Sequence, residues 1–211
     1  MSGFPVLAAA TVTGAFVFGM VLALLGSVKL ALAKRLEIGE ARVGGLLSAL
    51  HFALIPMMPL SGILLDRFGV RAVLVAGCVV AALGLYGLTV RQGYAWAAAA
   101  IVLTGVGAAC VSTSCVVLMP RAFFDGDPDK VTAAVNLGSV FLALGSLVTP
   151  TLADVLTRLT DLTRALAALA VLCLLPALML AFGAGAGAAG DFRMGGQTSN
   201  LREVLADPRL W

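Results

Sequence analysis

Long apolar stretches alternate with short polar breaks along almost the whole chain. Six apolar runs stand out: Pro5 to Leu32, Val43 to Leu65, Val70 to Val90, Tyr94 to the residue before Pro120, Val131 to Leu156, and Leu166 to Gly183. Each is long enough to cross about 30 Å of hydrocarbon as an α-helix, which takes about 20 residues. A backbone in lipid must satisfy its own hydrogen bonds, so only helices and closed barrels span. The runs are too long for barrel strands and lack their dyad alternation. The predicted fold class is all-α: a polytopic transmembrane bundle of six helices over residues 1–186.

The breaks carry turn chemistry. Asp66 to Arg71 is very short and charged, and Arg91-Gln92-Gly93 reads as a tight turn. Arg121 to Lys130 is longer, and its Asp125-Gly126-Asp127-Pro128-Asp129 favours a turn followed by a helix N-terminus. Arg158 to Arg164 is again short. Lys29, near the end of the first run, can snorkel to the interface. That run has no basic flank before it and is too long for a signal h-region, so it reads as a retained first helix.

Past Gly183 the pattern changes. Gly183 to Gly190 alternates glycine and alanine, as flexible segments do. Residues 187–211 are expected to form a cytoplasmic linker and the start of a missing seventh helix. Asp207 suits a cap and Pro208 a first helical position, while Trp211 suits a membrane interface. A native amphipathic tail is the alternative.

Composition narrows the function classes. The chain is 61% hydrophobic and 12% charged, with a mean hydropathy of +1.05, against a charged share of about a quarter in soluble domains. A net charge of +3 with no basic cluster implies no nucleic-acid partner. Cys78, Cys110, Cys115 and Cys173 lie inside apolar runs without a CxxC pair or a histidine at ligand spacing. They read as packing residues, and neither a metal nor a cofactor is expected. One histidine and no acid deep in any run leave no hydrolytic site. The absence of a glycine-rich lysine motif for phosphate excludes an ATPase. No enzyme is expected.

Charge does not orient the chain. With the N-terminus inside, Arg67, Arg71, Arg121, Lys130, Arg193, Arg202 and Arg209 fall on the cytoplasmic side, and Lys29, Lys34, Arg35, Arg42, Arg91, Arg158 and Arg164 outside. Seven against seven leaves the positive-inside rule undecided.

The link between the second and third runs carries more. Gly62-Ile-Leu-Leu-Asp66-Arg67-Phe68-Gly69-Val70-Arg71 has the form G-x-x-x-D-R-x-G-x-R. Gly62 is expected to let a neighbouring helix approach closely. Asp66 is expected to cap the third span and suits its dipole. Arg67 and Arg71 can pair with acids or lipid headgroups. Gly69 permits a sharp reversal. Placed between the second and third spans, this loop resembles the signature loop of the major facilitator superfamily. The resemblance implies that the loop serves gating and stability on the cytoplasmic side, with the N-terminus inside. The layout of the whole chain is similar to that family's N-terminal six-helix half. Gly145 and Pro150 match the antiporter signature only in part, and the arginine expected within the fourth span is absent. Arg121, at that span's cytoplasmic end, is the candidate for a related pairing role.

The fifth span carries Thr132, Asn136, Ser139, Ser146 and Thr149 at spacings that share one face. In lipid such a face turns toward other helices or a wet cavity. Interhelical hydrogen bonding and a substrate-path lining both fit. Ser112, with Thr104, Thr113 and Ser114 in the fourth span, and Thr11, with Thr13 and three glycines in the first, admit the same two readings. The resemblance places the first and fourth helices along the cavity. His51, in the middle third of the second span, is either a satisfied core histidine or a proton-relay group. The candidate path residues are Thr11, His51, Ser112, Asn136, Ser139 and Ser146. Visible polar groups are mostly neutral hydroxyls, which disfavours a strongly charged solute.

The resemblance implies a secondary active carrier of a small solute working by alternating access. Its partners would be the solute, the lipid bilayer and a second six-helix half, supplied by the same chain extended, a separate chain or a second copy. The location implied is the plasma (inner) membrane. A non-transporting membrane scaffold or assembly protein built on the same bundle is the alternative.

Overall fold

The structure is a computed structural model and describes residues 4–183. The linker and helix start expected over 187–211, with Asp207, Pro208 and Trp211, lie outside the described residues. Seven α-helices are present among the described residues: α1 Phe4–Ser27, α2 Lys29–Leu36, α3 Glu40–Phe68, α4 Val70–Val90, α5 Tyr94–Phe124, α6 Val131–Leu159 and α7 Leu162–Gly183. All but the short α2 are long and apolar enough to cross a membrane, which makes six spans.

The hydrophobic runs and the helices agree closely, with two informative differences. The first run was expected to continue to Leu32, but α1 stops at Ser27 and the chain breaks at Val28. The short α2 that follows buries Leu32 and leaves Lys29 and Lys34 exposed. Lys34 and Arg35 lie in its last turn, and Glu37 closes it in the left-handed conformation. The fourth run was expected to end before Pro120, yet α5 continues through that proline to Phe124. One missing N–H near a helix end leaves a single carbonyl without its donor, and the last turn then closes on Asp125 in the left-handed conformation. The Asp125–Lys130 link behaves as its composition predicts. Asp127 accepts the Asp129 amide at 3.0 Å, and the 3-10 turn Pro128–Lys130 feeds α6.

The spans form two layers. Helices α3, α5, α1 and α6 make a row, each packed on the next, with α4 behind α5 and α7 behind α1. The hydrophobic effect gives little drive between helices in lipid, so close backbone approach at small residues matters. Gly77 and Gly107 meet at the α4–α5 crossing, where an added Cβ on Gly77 would come within 3.0 Å of the Gly107 carbonyl. Gly105 sits against the Leu50 carbonyl where α5 crosses α3. Between these crossings Met20, Leu24, Leu50, Leu85, Ile101 and Leu166 fill the interior. The four cysteines are buried and free, as packing residues would be. Helices α3 and α6, at the two ends of the row, are the least buried spans.

Candidate functional site

The α3–α4 link proves tighter than the sequence suggests. Helix α3 runs to Phe68 and α4 starts at Val70, so Gly69 alone makes the turn. Its φ of +83° and ψ of 153° belong to a region essentially restricted to glycine. Its N–H donates to the Leu65 carbonyl at 2.9 Å. This geometry corrects the expectation for Asp66. It lies in the last turn of α3, exposed, and no side chain caps α4, because the capping position is occupied by Gly69. Gly62 is corrected as well: an added Cβ there would meet nothing within 4 Å, so no described helix packs closely on it.

The arginines of the link do different things. The Arg67 guanidinium lies over the Phe68 ring, 5.7 Å from its centroid. Arg71 Nη2 donates to the Leu180 carbonyl at 3.0 Å, which ties the start of α4 to the last turn of α7. Neither contact is an acid pair, one of the two partners, acids or lipid headgroups, that the sequence allows. Arg121 is half-buried in the last turn of α5, where its charge complements the helix dipole.

The candidate path residues divide by placement. Ser112 and Ser139 line one small cavity of about 70 Å³, together with Ala15, Phe18, Met119 and Leu142. Three helices of the front row, α1, α5 and α6, converge there. Ser139 donates to the Val135 carbonyl at 3.0 Å. Asn136, one turn earlier on α6, is exposed, and no hydrogen bond engages its side chain among the described residues. Ser146 is used otherwise: its hydroxyl donates to the Gly19 carbonyl at 3.0 Å, an interhelical bond. Thr11 is fully buried and donates to the Leu7 carbonyl at 2.7 Å, so it offers no polar group to the open face.

His51 is exposed on α3, which corrects the core-histidine reading. Its Nδ1 is 2.9 Å from the Leu47 carbonyl, and a carbonyl only accepts, so Nδ1 is the donor of this bond. It lines a separate hollow with Leu47, Ser48, Phe52 and Ile55, apart from the two serines. The sequence reading missed two features. Ser61 donates to Thr113 across the α3–α5 crossing at 2.6 Å, and Arg35 from α2 donates to the Thr89 carbonyl at the end of α4 at 2.7 Å. Partners so distant in sequence leave no local pattern to read.

A family model described as Major Facilitator Superfamily matches residues 11–211. The chain belongs to the Major Facilitator Superfamily. No curated protein matches it in a sequence comparison. As a Major Facilitator Superfamily member with six apolar spans, it is an integral, multi-pass membrane protein of a transporter family, not of an enzyme family. Superfamily transporters bind small solutes within the membrane, and the Ser112–Ser139 cavity lies inside the spans, walled by apolar side chains.

Proposed function

We propose that this chain is the N-terminal six-helix bundle of a secondary active carrier for a small solute of low charge. The observation that carries the reading is the Ser112–Ser139 cavity among three front-row helices, with exposed Asn136 one turn away. Two neutral hydroxyls and an amide can hydrogen-bond a polar uncharged group but offer no counter-ion. His51 is the remaining candidate on the path, through the exposed edge of its ring.

Alternating access needs a second bundle to rock against. The under-buried end helices α3 and α6 are where it would dock, whether supplied by the same chain, another chain or a second copy. Gly62, Asp66, Arg67, Gly69, Arg71 and Arg121 form the gate on the cytoplasmic side, and the N-terminus lies in the cytoplasm beneath the plasma (inner) membrane. In this reading exposed Asp66 and Gly62, on which no described helix packs closely, meet the second bundle.

The test is a solute screen in proteoliposomes with the protein paired with its second bundle. Uptake of a polar uncharged solute, at least halved by Ser139→Leu, is expected. Robust uptake by a demonstrably monomeric six-helix chain would overturn the need for a second bundle. Accumulation of only polyanionic solutes would overturn the neutral site.

A further inference from the structure

The hydroxyls of α5 are not equivalent. Thr104, Thr113 and Ser114 donate to carbonyls one turn back on their own helix. Ser112 does not, and its hydroxyl makes no hydrogen bond among the described residues. It lines the cavity between α1, α5 and α6 with its donor unused. Ser139, across from it on α6, is the converse. Its proton goes to the Val135 carbonyl, which leaves the oxygen lone pairs to accept. The cavity therefore offers one free donor and one acceptor.

The rest of the lining is apolar. Phe18, Cys115 and Met119 are buried around the cavity, and Leu142 is half-buried. A buried cysteine behaves here as a small hydrophobe. Ser139 and Val116 are exposed, so the mouth lies between them. An apolar cavity of about 150 Å³ holds a benzene ring. This one measures about 70 Å³, so it takes about three carbon atoms and no ring. A polar substituent against Phe18 or Met119 would lose its water and gain no partner, a penalty that a polyol meets at every carbon. A methylene placed there gains about fourfold in affinity.

We infer that this cavity is an aliphatic subsite, which takes the tail, about three carbons long, of a solute whose head is a hydroxyl or a primary amide. The head donates to Ser139 and accepts from Ser112. The inference rests on the reading above that this cavity is the solute site, and it narrows the solute to a small neutral amphiphile. Gly138 and Met119 set the length of the tail. Both line the cavity, and an added Cβ on Gly138 would stand 3.1 Å from the Met119 Cε, so alanine at 138 crowds that methyl and shortens the space.

The probes are acetamide, propanamide and butanamide, which share one head and lengthen by single methylenes. Benzamide and glyceramide, the dihydroxy form of propanamide, complete the set. Each is titrated against maleimide labelling of Ser139→Cys in intact membranes holding the full chain. The concentration that halves labelling should fall about fourfold per methylene from acetamide to butanamide. Benzamide is too large and glyceramide too polar along its tail, so neither should protect better than acetamide. Labelling of Leu30→Cys, exposed on α2, should not change. Gly138→Ala should remove the advantage of butanamide and spare acetamide, and Met119→Ala should let benzamide protect. A misfolded variant would lose protection by every probe and would not reorder them. Equal protection by all the amides, glyceramide matching propanamide, slowed labelling at Leu30→Cys, or an unchanged order in both variants would each overturn the subsite. Protection is read without uptake. Ordered protection with no solute carried would sink the transport reading and leave a binding subsite, whereas uptake with no order among tails would do the reverse.

Discussion

Ser146 on α6 donates its hydroxyl to the Gly19 carbonyl on α1, 3.0 Å away, at the place where the two helices run closest. An added Cβ on Gly19 would collide with the Leu142 carbonyl, and one on Gly145 with the Phe16 carbonyl. The two glycines and the serine thus make one crossing, and it holds the end helix α6 onto the row.

Gly145→Ala should therefore destabilise the bundle by about 1–3 kcal/mol, the usual range for overpacking. Ser146→Ala should cost less, about 0.6 kcal/mol, as interhelical hydrogen bonds in membranes do. Gly26→Ala, whose added methyl meets nothing within 4 Å, serves as the neutral control. Thermal unfolding in detergent ranks the three, and an unaffected Gly145→Ala would show that α1 and α6 can separate freely.

Gly69 provides a second test. At φ +83° and ψ 153° both alanine and asparagine are strained, because asparagine tolerates the left-handed helical region but not this one. Gly69→Ala and Gly69→Asn should lose about 1–3 kcal/mol alike. If asparagine rescues the alanine defect in the same unfolding assay, the turn has another geometry.

The Arg71–Leu180 bond predicts a change far from residue 71 in sequence. Arg71→Gln should speed hydrogen exchange in the last turn of α7 while leaving the middle of α4 protected. Uniformly faster exchange would point to general destabilisation and not to a released clasp.

Cysteine accessibility can map the path directly, since the four native thiols are buried and should react slowly with a maleimide in intact membranes. Asn136→Cys and Ser139→Cys should label quickly, and Thr11→Cys should not. Equal labelling at 11 and 139 would remove the distinction between packing and path hydroxyls.

Much of the fold was legible because one force wrote it. Burial in lipid demands runs of apolar residues, and the third run, Val70 to Val90, coincides with its helix residue for residue. The breaks were legible for the same reason, since Asp125 to Lys130 could form only turn structure. The site was harder to read. Five polar residues on the fifth span share a spacing, yet Thr149 is buried and Ser146 bonds across to α1, while Asn136 and Ser139 are exposed. Periodicity gives the face of a helix but not the neighbour it meets.

By itself the sequence determined the solvent, the six spans and a short reversal at Gly69, because hydropathy and backbone sterics act locally. Only the tertiary structure decided that Asp66 caps nothing, that Arg71 reaches Leu180, and that Ser112 and Ser139 share a cavity. Those outcomes depend on which helices lie side by side, and that is fixed by contacts between residues far apart in the chain, such as Gly19 with Leu142 and Gly77 with Gly107.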